Sequence, residues 1–179
     1  MTARQLILGG AGPASGAVVS PCERYRYRLW RRWGNDPHVL FLLLNPSIAD
    51  FELDDPTIRR CVGFAKAWER DAIEVVNLYA FRATDPANLR AAARADTDVV
   101  GPDNDRHIAE AAGRAPLIVV AWGATVIPGV IDRAARVFDL LPPAAPVFCV
   151  GETASGHPRH PLYARATRAP VPFRRPPAP

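Results

Sequence analysis

Four largely apolar runs punctuate the chain: His38–Leu44 (HVLFLLL), Ala72–Tyr79 (AIEVVNLY), Leu117–Trp122 (LIVVAW) and Pro146–Val150 (PVFCV). Short apolar runs without alternation read as strands covered on both faces. The segments between them carry helical periodicity. Asp55-Pro56 opens a helix, with Asp as N-cap and Pro at the first helical position, and Ile58, Cys61, Val62, Ala65 and Trp68 form its apolar stripe. Short helices are predicted near Asn88–Arg94 and Asp105–Ala112, and an amphipathic one over Val130–Leu141. Buried strands separated by helices define an α/β fold: a single domain with a central four-stranded parallel sheet flanked by helices.

Ahead of that unit the pattern changes. The first 20 residues are small and flexible in character, apart from a short strand at Ala17–Ser20. From Cys22 to Trp33, Arg24, Arg26 and Arg28 alternate with Tyr25, Tyr27 and Leu29, the period-2 signature of a half-buried strand. Together these strands make an N-terminal β-hairpin. The domain is expected to span residues 1–168, with residues 169–179 a mobile tail too proline-rich to pack.

A length of 179 residues with 49% hydrophobic side chains suits one domain with a full core. No apolar run approaches the roughly 20 residues of a membrane span, and MTARQLILGG lacks an apolar signal region. The three cysteines, Cys22, Cys61 and Cys149, form no CxxC pair, and their odd number argues against a disulfide framework. A cytoplasmic protein without membrane contact is expected. Charge adds a direction. Residues 1–34 carry six Arg against Glu23, residues 156–179 carry five Arg and no acid, and residues 35–155 hold 11 basic and 17 acidic residues. Basic flanks on an acidic body suit contact with phosphates along one edge, or else arginines on solvated faces in an arginine-rich composition.

Parallel sheets bind ligands at the carboxyl ends of their strands. There the sequence places Asn45-Pro46-Ser47 and Asp50 after the first run, Asn77 and then Arg82 after the second, and Gly123 after the third. The fourth leads to His157-Pro158-Arg159-His160-Pro161-Leu162-Tyr163. No G-x-S-x-G elbow or G-x-G-x-x-G turn is present, which argues against a serine hydrolase or a dinucleotide fold. His157 and His160 lack a third metal ligand, so no metal or other cofactor is expected. Amides pair well with base edges, and a histidine donates to an oxygen that gains charge. The blander readings are a turn at Asn45-Pro46, a loop cap at Asn77 and a structural His157.

The order strand–Asn-Pro, strand–Asn, strand–Gly, strand–loop–His-Pro-Leu across residues 38–163 resembles the uracil-DNA glycosylase superfamily. Leu44-Asn45-Pro46-Ser47 is similar to the first motif of its mismatch-specific branch, Val75-Val76-Asn77-Leu78 to its base-reading motif, Val119–Ala124 to its strand-then-glycine segment, and His160-Pro161-Leu162 to its second catalytic motif. The whole chain also resembles an uncharacterised bacterial family, through its Arg-Tyr-Arg-Tyr strand, Asp54-Asp55-Pro56-Thr57-Ile58-Arg59-Arg60 and the Pro-Arg-His-Pro-Leu-Tyr ending. Against the glycosylases, the chain departs in lacking Gly-Gln-Asp-Pro-Tyr, the four-cysteine iron–sulfur set and the usual serine after Pro161.

The resemblance implies excision of uracil or a similarly damaged base from DNA by a monomer. Asn45 would hold the hydrolytic water, unless Asp50 does so, and His160 would stabilise the leaving base. Pro46, Ser47, Asp50, Asn77 and Gly123 would bind substrate, with Asn77 reading the uracil edge. Arg82, Arg159, Pro161, Leu162 and Tyr163 would meet DNA, together with the N-terminal arginines. Phe41 and Phe51 are candidates for the base-stacking ring. A base-binding module that does not cleave and an enzyme on free nucleotides are the alternatives.

Overall fold

Apolar runs of this kind bury both faces of a strand; the first three do so almost throughout, while Val147 and Phe148 of the fourth are half-buried. In the computed structural model, which describes residues 4–8, 15–35, 37–47, 54–125, 127 and 130–174, the chain begins with β1 (Arg4–Leu8), β2 (Ser15–Val19), β3 (Arg26–Arg32) and β4 (His38–Leu43). It continues through α1 (Pro56–Ala67), β5 (Ala72–Asn77), α2 (Pro86–Arg94), α3 (Asn104–Arg114) and β6 (Leu117–Val120). Last come α4 (Val130–Leu140), β7 (Val147–Cys149), a 3-10 turn (Pro161–Tyr163) and β8 (Val171–Pro172).

One sheet of eight strands runs β1-β2-β3-β5-β4-β6-β7-β8. The four strands of the apolar runs, β5-β4-β6-β7, are parallel. β1, β2 and β3 add antiparallel at one side and β8 at the other. The chain is thus a single α/β domain with a mixed sheet and, among the described residues, four α-helices. Leu40, Leu42, Val76 and Val120 pack against Leu89, Ile108 and Val137 of α2, α3 and α4 on one face. Val39, Phe41, Ile73, Val75 and Val119 meet Ile58, Cys61, Phe64 and Ala65 of α1 on the other. Among the described residues no helix is long and apolar enough to cross a membrane.

Asp55 is the N-cap of α1, its carboxylate accepting from the Ile58 N–H at 2.8 Å, and Pro56 follows at the first turn. Inside β5, Glu74 is 5% exposed and is held by Arg28 at 2.5 Å and Arg114 at 2.6 Å. Two guanidiniums on one buried carboxylate tie β3 and α3 to the sheet. Removing either would leave that charge underpaired.

Three expectations change. Arg4–Leu8 pairs with β2 as an added strand, so the N-terminal unit is a three-stranded meander rather than a hairpin. The segment after 168 packs: Val171 and Pro172 pair with Cys149 and Phe148, and Phe173 is 9% exposed among Trp122 and Phe138. Residues 175–179 of the expected tail lie outside the described residues. Alternation also breaks in β3. Val18 faces Arg28 but Val19 faces Arg26, so Tyr27 is an extra residue, a β-bulge.

Candidate functional site

The carboxyl ends of the parallel strands open into a cavity of about 690 Å³, the crevice where open α/β sheets take ligands. Asn45 and Ser47 reach it from β4, Asn77 from β5, Gly123 from β6, and Arg159, His160, Leu162 and Tyr163 from the loop after β7. The first residues of α1, from Asp55, and Arg26 of β3 close it.

Asn77 ends a strand that is pinned from behind. Asn104 Nδ2 donates to the Asn77 and Leu78 carbonyls, each at 3.1 Å, and Arg133 Nε donates to Leu78 O at 2.7 Å. The Asn77 side chain is 2% exposed, and its Oδ1 has no hydrogen-bond partner among the described residues. A buried acceptor without a donor costs about 1–3 kcal/mol. Buried polar groups are ordinarily paired, so an unpaired amide at the cavity lining marks Asn77 as a candidate ligand-binding residue.

His160 is set by a glycine. Gly123 has φ +79°, its N–H donates to Pro158 O at 2.9 Å, and a Cβ there would stand 3.2 Å from His160 Cβ. Only glycine admits both the left-handed backbone and that approach. The Leu162 N–H donates to His160 Nδ1 at 3.4 Å, which leaves the ring proton on Nε2. Burial lowers the His160 pKa, with Asp55 pulling against it, so the ring is a neutral donor at neutral pH.

Asn45 is oriented by its neighbours. Its Nδ2 donates to Pro46 O at 3.1 Å and Ala83 O at 2.7 Å, stitching the loop after β5 to the loop after β4. Both amide hydrogens are committed, and Oδ1 remains as an acceptor. Pro46 is buried and takes part through its carbonyl, away from the cavity lining. Asp50 and Phe51 lie outside the described residues. Phe41 is not a stacking platform for a base: it is fully buried in the core, against Trp68.

The residues expected to meet DNA divide. Arg159 lines the cavity and donates to Glu152 O at 2.8 Å. Leu162 and Tyr163 stand at the mouth, 43% and 76% exposed, the exposed large hydrophobic side chains among the described residues. Arg60 of α1 fastens their turn from beneath, donating to Pro161 O at 3.4 Å and to Ala164 O. Pro161 is buried in that turn. Arg82 stands outside the cavity lining, where it donates to Glu23 O at 3.0 Å. Three of the N-terminal arginines, Arg24, Arg28 and Arg31, are engaged within the fold. Arg28 pairs with Glu74, Arg31 pairs with Asp54 at 2.8 Å, and Arg24 lies over the Tyr25 and Phe81 rings.

Among the cavity residues that sequence reasoning did not single out as site residues are the two charged ones, Asp55 and Arg26. Asp55 was legible as a cap, and a helix that follows a parallel strand starts over the ligand crevice, so its cap borders the site. Arg26 carried no signal beyond its place in an alternating strand. Among the described residues no group of three or more His, Cys, Asp or Glu side chains is placed to hold a metal.

Fold and cavity together define an α/β domain with its ligand crevice at the carboxyl edge of the parallel strands. The chain belongs to the family described as protein of unknown function, DUF1643, whose model matches residues 26–162. That span begins and ends on cavity residues. No curated protein and no solved structure matches the chain.

Proposed function

We propose that the protein is a monofunctional DNA glycosylase that hydrolyses the N-glycosidic bond of uracil or a similarly damaged base, on a sheet arranged like that of the uracil-DNA glycosylase superfamily. Asn77 is the observation that carries this reading: a buried amide of the cavity lining, at the end of a pinned strand, whose Oδ1 has no hydrogen-bond partner among the described residues. An amide in that setting suits a base edge that offers an imide N–H beside a carbonyl.

The remaining groups fit the same reaction. The target nucleotide leaves the stack at a cost of a few kcal/mol. Leu162 and Tyr163 fill the gap, and Arg159 meets a phosphate. As the glycosidic bond stretches, negative charge collects on the base and positive charge on the sugar. His160 Nε2–H donates to the base oxygen, a contribution of about 3–4 kcal/mol for a well-placed donor. The Asp55 carboxylate favours the cationic sugar by Coulomb attraction. Asn45 Oδ1 accepts from the attacking water and orients it.

A base-binding module that does not hydrolyse is the second reading, favoured by the use of the Asn45 amide as a loop clamp. The test is a labelled oligonucleotide with one uracil, single-stranded or opposite G or A, treated with alkali after incubation. Strand cleavage that depends on uracil and is lost in His160→Ala supports the glycosylase. Retained DNA binding with no cleavage on any of the three substrates moves the assignment to the binding module.

A further inference from the structure

Arg26 reaches the cavity because of the bulge in β3. On a regular strand Arg26 and Arg28 would share a face, and Arg28 pairs with Glu74 on the α3 side. The extra residue, Tyr27, also packs toward α3, on the His107 ring at 4.9 Å. Alternation therefore restarts out of phase, and Arg26 turns into the cavity with Asn77 of the neighbouring strand. Bulges beside binding sites re-aim a side chain in this way.

What the turn achieves is costly in the free protein. Arg26 is 5% exposed, its Nε has no hydrogen-bond partner, and it forms no ion pair among the described residues. Asp55 lies within Coulomb reach, but one of its oxygens caps α1, and Arg31 and Arg82 add like charge. Burial lowers the Arg26 pKa to about 10, which leaves it protonated at neutral pH. A buried guanidinium without a counter-ion is strongly unfavourable unless something beyond the described residues completes it.

We infer that Arg26 is the seat of an anionic group: the ligand of this cavity carries a carboxylate or a phosphate where it meets the floor formed by β3 and β5. A guanidinium presents paired N–H donors that match either group, and burial strengthens both bonds. The inference deepens the base-binding reading and rests on it for the rest of the ligand. A charge borne by the base and a charge borne by a nucleotide's phosphate share this chemistry, so the experiment separates them.

Calorimetric titration of the full chain uses two pairs of probes, uracil against uracil-5-carboxylate and deoxyuridine against deoxyuridine 5′-monophosphate. The anionic member of at least one pair binds about tenfold or more tightly than its neutral partner, the order a charge-assisted bidentate contact supplies. Arg26→Gln erases the preference and Arg26→Lys keeps part of it. Whichever pair responds names the source of the charge. Equal binding within both pairs, no binding of any probe, or a preference that survives Arg26→Gln overturns the inference. Arg26→Gln is also expected to melt at or above the wild-type temperature, and a clearly lower melt marks a structural guanidinium and overturns it too. Uracil release from DNA with no anionic preference leaves the glycosylase reading standing without this inference. An Arg26-dependent preference with no release from DNA does the reverse.

Discussion

Replacing Asn77 with leucine exchanges an amide for an apolar side chain of similar volume at a position 2% exposed. In the free protein Oδ1 has no donor, so the change removes an unsatisfied acceptor that costs about 1–3 kcal/mol. A domain of this size shifts its melting temperature by about 2–4 °C per kcal/mol. The variant is therefore expected to melt up to about 10 °C above the wild type, less whatever packing mismatch takes back. Under the proposed function the same substitution removes the bidentate pair to the base, about 1–3 kcal/mol of discrimination. Uracil release should slow by about tenfold to a hundredfold. Melting by circular dichroism and release kinetics on one preparation measure both effects. Opposite signs are the signature: more stable, less active. A variant that melts well below the wild type would refute the reasoning, because Asn77 would then be a structural residue. Unchanged release would remove it from the base pocket.

Asp55 separates a cap from a charge: Asp55→Asn keeps the cap and stability within a few tenths of a kcal/mol, whereas Asp55→Ala loses about 1 kcal/mol. Both slow uracil release if the carboxylate supports a cationic sugar, and an Asn variant with full activity would limit Asp55 to capping. Burial lowers the pKa of His38, His107 and His160, so the unfolded chain takes up more protons as the pH falls through about 6.5. Stability is full above that pH and declines below it. Urea titrations between about pH 7.5 and pH 5.5 should show the decline, with a shallower slope for His160→Gln; stability that rises toward acid contradicts the assignment. Phe173→Ala breaks the contacts to Trp122 and Phe138, 6.1 and 6.2 Å between ring centres, and should cost about 3–4 kcal/mol by urea denaturation. A loss under about 1 kcal/mol would show that the segment only rests on the core.

The parallel core was legible because strands covered on both faces are almost wholly apolar, Glu74 and Asn77 being admitted only with a paired charge and at a strand end. Asn45, Ser47, Asn77, Gly123, Arg159, His160, Leu162 and Tyr163 came together because residues just past parallel strands must share one edge. Pro46, Pro161 and Arg82 stand outside the cavity lining: the two prolines serve their loops through backbone carbonyls, and the Arg82 guanidinium donates to Glu23 O. The bulge at Tyr27 was invisible, since neither glycine nor proline marks it and both tyrosines remain buried, only on the other face. The C-terminal segment was misread from its prolines. Pro172 is tolerated because β8 is the last strand of the sheet, where a missing N–H can face outward.

Arg60 holds the turn of Leu162 and Tyr163 from α1 at both of its ends. A loop that orders on contact surrenders about 1–2 kcal/mol of backbone freedom per residue, and a turn already fastened to a helix surrenders little. The mouth of the cavity is therefore a hard lip. Induced fit at this side falls on the incoming molecule, and selectivity begins as a question of which partners deform easily.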